Sequence, residues 1–333
     1  MQGFGSRVSA IGTYAPSRVL TNADLSKMVD TNDEWIVRRT GIRERRVSAD
    51  DEFTSDMCTA AACDLLARHE VDRDAIGMVI ACTTTPDFAV PSVACVVQDR
   101  LGLRNAGAID LNATCAGFVY GLQIASAMTA TGAHRAVLVV AGETLTKVTD
   151  YTDRTSCILF GDAAGAGLVE QSDRRTVLAA SMGSEGSGGP LLYRTGLSER
   201  IGDGQHLGYL RQNGREVYKW AVETVSAGVC DLLRQAGLTA RDLSWFAPHS
   251  ANLRITEAVC ERTGIPMERT LSSIEYYGNT SAATIPLALA GALADGRLCE
   301  SDTVLMYGFG GGLVHAGLLL EWHADTSALP PPK

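Results

Sequence analysis

The sequence lacks the features that mark several protein classes. It has no run of Lys or Arg, and 29 basic against 38 acidic residues give a formal charge of −9. This charge argues against a surface built to bind nucleic acid. Only 10 prolines stand against 34 glycines, which excludes collagen-like and low-complexity chains and predicts a compact body with many tight turns.

Signals for disulfides, metals and membranes are also missing. The nine cysteines show no CxxC spacing, so we expect a reducing cytoplasm and neither a disulfide framework nor a zinc site. The chain opens without a basic-then-apolar leader, and its longest apolar stretch, Thr284–Ala294, is too short to span a bilayer. With 333 residues, 46% of them hydrophobic, we expect a soluble cytoplasmic protein with a large core and no membrane contact.

Three short patterns recur in the same order at an offset of about 167 residues. They are a helix-turn-strand pattern at 65–82 and 232–248, a small-residue helix start at 114–118 and 280–284, and an apolar strand at 136–140 and 303–307. Three matching patterns in the same order favour two copies of one α/β unit. We place the halves at 1–172 and 173–333, with the Gly-, Ser- and Arg-rich stretch 183–214 as an excursion from the second half.

Continuous apolar strands that alternate with helices indicate βαβ-type units whose sheets are covered on both faces. Two equivalent halves bring their matched loops to one central point, so chemistry is expected where the repeats differ. Cys115 stands opposite Ser281 in this alignment, and His249 and Asn279 lie on neighbouring loops of the second half.

Each of these residues has a functional and a structural interpretation. Cys115 follows a strand and a turn and precedes a helix, where unpaired N–H groups and the helix dipole favour a thiolate nucleophile; it could equally be a core cysteine. His249 ends a buried strand, as a catalytic imidazole would, or it is a structural histidine. Asn279 in a Gly-Asn turn could be a turn residue or a cap.

Two other site types fit the sequence poorly. The order Cys115, His249, Asn279 matches a papain-like protease, but the Cys-Gly-Ser/Ala-Cys-Trp/Tyr signature of that family is missing. The glycines at 161–167 do not fit G-x-G-x-x-G, and no G-K-[ST] is present. The glycines at 308–312 follow a strand and suit either an oxyanion hole or a loop without a role.

Long motifs occur along most of the chain in a fixed order. They are DTNDEWI at 30–36, RTGIRER at 39–45, CAGF at 115–118, TDR at 152–154, FGDAAGA at 160–166, NGREV at 213–217, PHSANLRI at 248–255, YGNTSAA at 277–283 and GFGGG at 308–312. Together they resemble the β-ketoacyl-acyl-carrier-protein synthase III family of thiolase-like condensing enzymes. The resemblance implies an α/β chain with a five-layered αβαβα fold, which assembles as a homodimer.

The resemblance also implies a reaction. Cys115, His249 and Asn279 would form the catalytic triad, with the cysteine taking an acyl group from acyl-CoA and malonyl-acyl-carrier protein then losing CO₂. His249 Nε2–H and the Asn279 amide would stabilise the enolate, and the backbone N–H groups of Cys115 and Gly311 would form the oxyanion hole. The CoA thioester and the carrier-bound malonyl group are substrates, and no cofactor or metal is implied.

Substrate contacts follow from the same resemblance. Trp35 and Arg154 would clamp the CoA adenine, Arg39 would meet the phosphates and Asn252 would lie along the pantetheine arm. The acyl pocket would be lined by Val90, Phe160 and Phe309. Positive charge for the acidic carrier protein would come from Lys219, Arg254 and Arg262.

Several positions depart from the family pattern. Glu261 replaces a basic docking residue, Ser250 a glutamine, and the segment 313–315 the usual Thr-Trp ending. Val90 stands where a phenylalanine of the partner subunit often closes the acyl pocket, which predicts a pocket wider than acetyl. Phe309, in place of the second cysteine of degradative thiolases, favours decarboxylative condensation.

Two alternatives remain open in the sequence. A starter-unit or tailoring acyltransferase of secondary metabolism would use an oxygen or nitrogen acceptor, but such a transfer needs no decarboxylation and hence no Asn279. A non-catalytic partner subunit would lack the cysteine, whereas Cys115 is present together with the other two triad positions.

Overall fold

The computed structural model describes residues 5–196 and 208–323. The strands within these residues are β1 Gly5–Tyr14, β2 Arg18–Thr21, β3 Glu44–Val47, β4 Ile76–Cys82, β5 Gly107–Leu111, β6 Ala136–Thr144, β7 Asp162–Ser172, β8 Val177–Ser184, β9 Leu192–Arg194, β10 Leu210–Gln212, β11 Trp245–Pro248, β12 Thr303–Gly310 and β13 Val314–Glu321. The helices are α1 Asn22–Leu25, α2 Asp33–Thr40, α3 Thr54–Arg68, α4 Val93–Arg100, α5 Gly117–Ala130, α6 Gly214–Ala236, α7 Leu253–Thr263, α8 Ile274–Tyr277 and α9 Thr284–Ala294.

Two sheets of matching topology organise these elements. The first has the order β1-β7-β6-β4-β5, and the second has the order β8-β13-β12-β11. In each sheet the first two pairings are antiparallel and the next is parallel. The first sheet continues with the parallel pair β4-β5, whereas a single parallel bridge from Phe246 to Thr270 takes that place in the second.

The structure shifts the sequence alignment of Cys115 with Ser281 by one residue. Short 3-10 turns span Thr114–Ala116 and Ser281–Ala283, directly before α5 and α9. Their first residues, Thr114 and Ser281, lie 167 positions apart and both have left-handed φ values, 45° and 53°. Ser281 therefore corresponds to Thr114, and the counterpart of Cys115 is Ala282. The alignment made from the sequence was wrong because it paired Thr114 with Thr280, instead of pairing the first residues of the two backbone turns.

Three hydrophobic clusters define five layers. The central cluster joins α5 and α9 to the facing sides of both sheets. A second cluster packs α3 and α4 on the outer face of the first sheet, and a third packs α6 and α7 on the outer face of the second. This arrangement confirms the predicted αβαβα fold.

The apolar stretch Thr284–Ala294 is the whole of α9. A helix that is apolar on all sides belongs inside a structure, and α9 lies between the two sheets. The strand β6, inside the first sheet, is buried along its full length, as expected for a strand covered on both faces. In the described parts of the chain, no helix combines the length and apolarity needed to cross a membrane.

A small subdomain before α3 positions the motif around Trp35. The β2-β3 hairpin and α2 pack on the segment around Ile158 in a separate cluster. The fully buried Arg45 side chain donates hydrogen bonds to Asn22 Oδ1 and to the carbonyl oxygen of Ile158. These bonds hold the hairpin against the segment that carries Arg154.

The predicted boundary between the halves falls in a connection between sheets. The first sheet uses strands up to Ser172, and the second begins with β8 at Val177. We retain the division into 1–172 and 173–333 as a proposal that this connection supports. The expected excursion 183–214 includes the β9-β10 pair, and residues 197–207 of it lie outside the described chain.

Candidate active site

The glycine loop after β12 packs directly on the turn that carries Cys115. A Cβ on Gly310 would lie 3.0 Å from Cys115 N and 2.7 Å from Thr114 Oγ1, so only glycine permits this approach. The Thr114 hydroxyl donates a 2.8 Å hydrogen bond to the carbonyl oxygen of Gly311. The structure thus brings together Cys115 and Gly311, the two residues expected to supply the oxyanion hole.

Burial acts against the thiolate form of Cys115. Desolvation raises the pKa of the thiol to about 12, the Ser281 hydroxyl opposes this rise, and the Glu143 carboxyl adds to it. The sequence-based expectation of a favoured thiolate considered the helix terminus alone and not the removal of the sulfur from water.

His249 lies directly after β11 and is only 2% exposed. Its ring meets Phe309 edge to face, with ring centroids 5.2 Å apart. Burial lowers its pKa to about 3, so the imidazole is neutral at physiological pH. A neutral imidazole has one donor and one acceptor nitrogen.

Thr284 controls which nitrogen of His249 carries the proton. The Thr284 hydroxyl lies 2.7 Å from Nδ1 and 2.9 Å from the carbonyl oxygen of Ser281. When the hydroxyl donates to that carbonyl, Nδ1 must carry the proton. When it donates to Nδ1, the proton is on Nε2, which is the form that an enolate-stabilising role requires.

The backbone of Asn279 is held on both sides by the segment around Phe160. Asn279 N–H donates to Leu159 O at 2.9 Å, and Gly161 N–H donates to Asn279 O at 3.1 Å. Its side-chain oxygen accepts a 2.9 Å bond from Ser281 N–H. Because the oxygen is engaged, the Nδ2 amide remains as a donor.

Ser281 joins these three side chains. Its N–H donates to Asn279 Oδ1, its carbonyl oxygen lies 2.9 Å from the Thr284 hydroxyl that also contacts His249 Nδ1, and its turn packs against the turn of Cys115. The sequence comparison singled out Ser281 only as the residue that differs from Cys115. Its part in the site depends on contacts between the halves that no sequence pattern reveals.

Glu143 was missed by sequence reasoning. It lies near the end of β6, is fully buried, and accepts hydrogen bonds from Thr83, Thr84, Thr85 and Ser281. The available signal was a carboxylate two residues after the apolar run 136–141, since an unpaired buried charge is costly and calls for a reason.

The residues assigned to CoA lie on adjoining elements. The guanidinium carbons of Arg39 and Arg154 lie 5.5 and 5.8 Å from the centre of the Trp35 ring. Asn252 caps α7 by accepting from Arg254 N–H at 2.9 Å. Gly41, which ends α2, packs against Leu253, so the Trp35 helix and Asn252 are neighbours.

The acyl-pocket residues divide into two groups. Phe309 contacts His249, and Phe160 is paired through its backbone with Asn279. Val90 is 86% exposed on the loop after β4. The chain therefore does not bring Val90 into its own site.

The expected docking residues are all at the surface. Lys219 lies on α6, and Arg254 and Arg262 lie on the neighbouring α7, each exposed. Glu261, which lies between Arg254 and Arg262 along α7, is also exposed and carries the opposite charge. Ser250 is buried instead, and its hydroxyl accepts from Ser273 N–H at 3.2 Å.

The described residues contain no group of three or more His, Cys, Asp or Glu arranged to hold a metal ion. All nine cysteines are free.

Comparisons with known proteins agree with this arrangement. A family model described as 3-oxoacyl-[acyl-carrier-protein (ACP)] synthase III matches residues 109–186, and the model of its C-terminal part matches residues 233–322. A β-ketoacyl-[acyl-carrier-protein] synthase III 2 of Halalkalibacterium halodurans is 56% identical over 325 residues, which are 96% of this chain and 98% of that protein.

Solved structures give the same result. A synthase III from Thermus thermophilus superposes with a TM-score of 0.92 at 44% identity, covering 96% of this chain and all of that one. The priming β-ketosynthase of the R1128 polyketide pathway reaches 0.91 at 37% identity, covering 100% of this chain and 98% of that one.

The fold and site thus define a condensing acyltransferase of the thiolase-like class. Within that class, the chain belongs to the β-ketoacyl-acyl-carrier-protein synthase III family.

Proposed function

We propose that this chain joins the acyl group of an acyl-CoA to malonyl-acyl-carrier protein by decarboxylative Claisen condensation, and so starts fatty-acid or related polyketide chains. The observation that carries the proposal is the packing of the Cys115 turn against Gly310 and against the turn Ser281–Ala283, because the backbone of Ser281 joins Asn279 and, through Thr284, His249 to the same site.

In the first half-reaction, Cys115 is the nucleophile. Its thiol loses a proton, and the sulfur attacks the carbonyl carbon of the acyl-CoA thioester. The bond from that carbon to the enzyme sulfur forms, the bond to the CoA sulfur breaks, and CoA leaves as a thiol after gaining a proton. The backbone N–H groups of Cys115 and Gly311 stabilise the oxyanion between these events.

In the second half-reaction, malonyl-acyl-carrier protein loses its carboxyl group as CO₂. The electron pair of the broken C–C bond becomes an enolate on the thioester, stabilised by His249 Nε2–H and the free Asn279 Nδ2 amide. The enolate carbon then attacks the acyl-cysteine, and Cys115 leaves as a thiolate. The edge contact with Phe309 and the bond to Thr284 keep the imidazole in place.

The nucleotide end of CoA binds around Trp35. The indole face and the two neighbouring guanidinium groups of Arg39 and Arg154 suit an adenine and its phosphates. Asn252, adjacent to this region, contacts the pantetheine arm with its amide. No cofactor is needed, since the substrates bring the thioesters.

The acidic carrier protein docks on α6 and α7. Lys219, Arg254 and Arg262 present positive charge there on a chain of net charge −9, so attraction is local and salt-dependent. Glu261 in the same region weakens this attraction or selects a different carrier protein.

The chain works as a homodimer in the cytoplasm. The edge strand β5 exposes Ile109, and the nearby loop exposes Phe88 and Val90, at 40%, 59% and 86%. An open edge with exposed apolar side chains favours pairing with a second copy. Val90 would then reach the partner's acyl pocket and, being smaller than phenylalanine, leave room for branched or longer acyl groups.

Intact-protein mass spectrometry tests the function. The wild-type chain and Cys115→Ala are incubated with a panel of acyl-CoAs and then chased with malonyl-acyl-carrier protein. We expect an acyl adduct on the wild type only, discharged to β-ketoacyl-carrier protein with release of CO₂. An adduct that the chase cannot discharge would favour the acyltransferase alternative, and no adduct from any donor would refute the priming role.

A further inference from the structure

Arg211 on β10 makes ion pairs across the two halves that the mechanism above does not use. Its guanidinium lies 2.8 Å from Asp150 Oδ2 and 3.7 Å from Asp153 Oδ2, both in the first half. The side chains of Arg211 and Asp150 are only 18% and 12% exposed. Water and salt therefore screen this contact less than they screen an ion pair on an open surface.

The two carboxylates build the turns that contain Arg154. Asp150 Oδ1 accepts from the N–H and the hydroxyl of Thr152 at 2.9 and 2.6 Å. Asp153 Oδ1 accepts in the same way from Thr155 at 2.9 and 2.7 Å. Each aspartate thus folds the two residues that follow it, and Arg154 is the middle residue of the second turn.

Two carboxylates three positions apart repel each other unless a cation lies against both. Nη2 of Arg211 faces Asp150 and Nη1 faces Asp153, so the planar guanidinium bridges the two groups. Attraction to the shared cation offsets their repulsion. A charge from the second half therefore holds these turns of the first half together.

The strand that carries this cation is itself firmly supported. β10 pairs with β9, where Arg211 stands opposite Tyr193. The next residue of the pair, Leu192, packs on the glycine loop, since a Cβ on Gly311 would lie 3.0 Å from the Leu192 carbonyl oxygen. The β9-β10 pair therefore connects the glycine loop to the turns around Arg154.

The Arg154 side chain depends on how its backbone is held. It is 53% exposed, and its guanidinium carbon lies 5.8 Å from the centre of the Trp35 ring. Its Nη1 donates to the carbonyl oxygen and the carboxylate of Asp30 at 3.1 and 3.3 Å, a surface contact that by itself orders a side chain only weakly. A long exposed side chain otherwise samples many rotamers.

We propose that Arg211 is a positioning residue for the CoA site. By bridging the two carboxylates it holds the backbone of Arg154, so that the Arg154 guanidinium faces the Trp35 ring and sets the affinity for the nucleotide of CoA. The inference rests on the proposed binding of that nucleotide around Trp35. Since Arg211 acts at the nucleotide end, the limiting rate of Cys115 acylation does not depend on it.

Arg211→Gln tests the proposal with thioesters that have or lack the nucleotide. Acylation of Cys115 is followed by rapid quenching and intact mass spectrometry over a concentration series of acyl-CoA and of the matching acyl-pantetheine. The half-saturating concentration of acyl-CoA should rise roughly tenfold, as for loss of an ordered cation–π contact, with an unchanged limiting rate. Acyl-pantetheine, which has neither adenine nor phosphate, should give wild-type values.

Arg154→Ala distinguishes positioning from direct attraction between Arg211 and the anionic nucleotide. This variant should itself raise the half-saturating concentration of acyl-CoA. Adding Arg211→Gln to it should cause no further rise, because two residues that act through one contact are not additive. A full further rise in the double variant would show that Arg211 attracts CoA by its own charge, and would overturn the proposal.

A second variant and a control complete the design. Asp150→Asn keeps an oxygen for Thr152 but removes the charge that meets Arg211, so acyl-CoA binding should weaken in the same direction. Arg100→Gln is the matched control, since Arg100 pairs with Asp56 at 2.9 Å on the outer helices α4 and α3. We expect wild-type values from it. Thermal unfolding identifies a variant that does not fold, and the folded one of Arg211→Gln and Asp150→Asn then decides.

Three results have distinct meanings. A folded Arg211→Gln with the wild-type half-saturating concentration of acyl-CoA would overturn the positioning role. Equal losses with acyl-CoA and acyl-pantetheine would overturn it too, since that pattern reflects a general disturbance of the site. A wild-type chain that saturates equally with both thioesters, together with an unaffected Arg154→Ala, would instead refute the proposed nucleotide site itself.

Discussion

The two halves of the molecule begin their central helices with the same backbone turn, yet only one of these turns carries a cysteine. Thr114 and Ser281 share a left-handed conformation that non-glycine residues adopt at a cost. The next residue is Cys115 in one turn and the fully buried Ala282 in the other. The duplication therefore supplies the scaffold, and the chemistry arises where the copies differ.

Each turn is packed against a strand end from the other half. Gly310, near the end of β12, contacts Cys115, and Glu143, 167 positions earlier in β6, contacts Ser281. Glycine lets the loop backbone reach the thiol, whereas glutamate places a carboxyl against the hydroxyl. One structural position thus holds a glycine against the thiol in one half and a buried carboxyl against a hydroxyl in the other.

The largest expected effect comes from exchanging the two turns. The double variant Cys115→Ala, Ala282→Cys keeps the composition but moves the thiol to a position with no exposure. We expect acylation to fall by roughly 10⁴-fold or more, as for removal of a nucleophile, measured as adduct formation. An adduct on the relocated thiol at a comparable rate would show that the turns are interchangeable.

Two asparagines at corresponding positions offer the next test. Asn112 lies two residues before the turn residue Thr114, as Asn279 lies two residues before Ser281. Asn279 is buried, whereas Asn112 is exposed. Asn279→Ala should reduce CO₂ release from malonyl-acyl-carrier protein by about 10² to 10³-fold, the usual loss for one oxyanion donor, while acylation persists. Asn112→Ala is the control and should keep both activities. Equal losses in the two variants would contradict the assignment.

A smaller effect is expected at Thr284, whose counterpart in the first half is Gly117. Thr284→Val removes the hydroxyl beside His249 Nδ1. The tautomer with the proton on Nε2 then loses the hydrogen bond to Nδ1 that stabilises it. We expect condensation to fall about tenfold, equivalent to about 1.4 kcal/mol for one lost hydrogen bond. Thr284→Ser should restore the rate, and a valine variant with wild-type condensation would refute the role.

Burial of His249 predicts a modest acid sensitivity. Its pKa falls to about 3 on folding, so between its ordinary pKa of 6.5 and about 3 the unfolded chain binds a proton that the folded chain does not. Stability from this group is complete above pH 6.5 and declines as the pH falls, by at most about 1.4 kcal/mol per pH unit. Urea unfolding of His249→Gln should show a shallower decline, with no change in slope above about pH 7.

A large part of this structure could be predicted from sequence patterns. The apolar repeats predicted two α/β units because buried strands and helices need continuous hydrophobic faces. Cys115, His249 and Asn279 were singled out because they stand beside the ends of such elements, and their assignment as a triad followed from the family motifs. The alignment of Cys115 with Ser281 was wrong by one residue. The two halves correspond through a left-handed turn residue, which is a threonine in one half and a serine in the other.

Some features depended on packing between the halves. Glu143 lies 138 positions from Ser281 along the chain, and no local pattern links them. The direction of the Cys115 pKa shift was also beyond sequence reasoning, because desolvation depends on what surrounds the sulfur. Carrier-protein contacts and the partner's Val90 remain proposals, since they involve a second molecule.

The sequence by itself thus determined the α/β architecture with its repeated pattern and the family motifs, from which the roles of Cys115, His249 and Asn279 are proposed. Those properties follow from the order of residue types along one chain. The tertiary structure alone decided that burial raises the pKa of the Cys115 thiol, that Ser281 contacts Asn279 and Thr284, and that the Glu143 carboxyl lies beside Ser281. These properties arise from distances and desolvation, which exist only once the two halves have packed together.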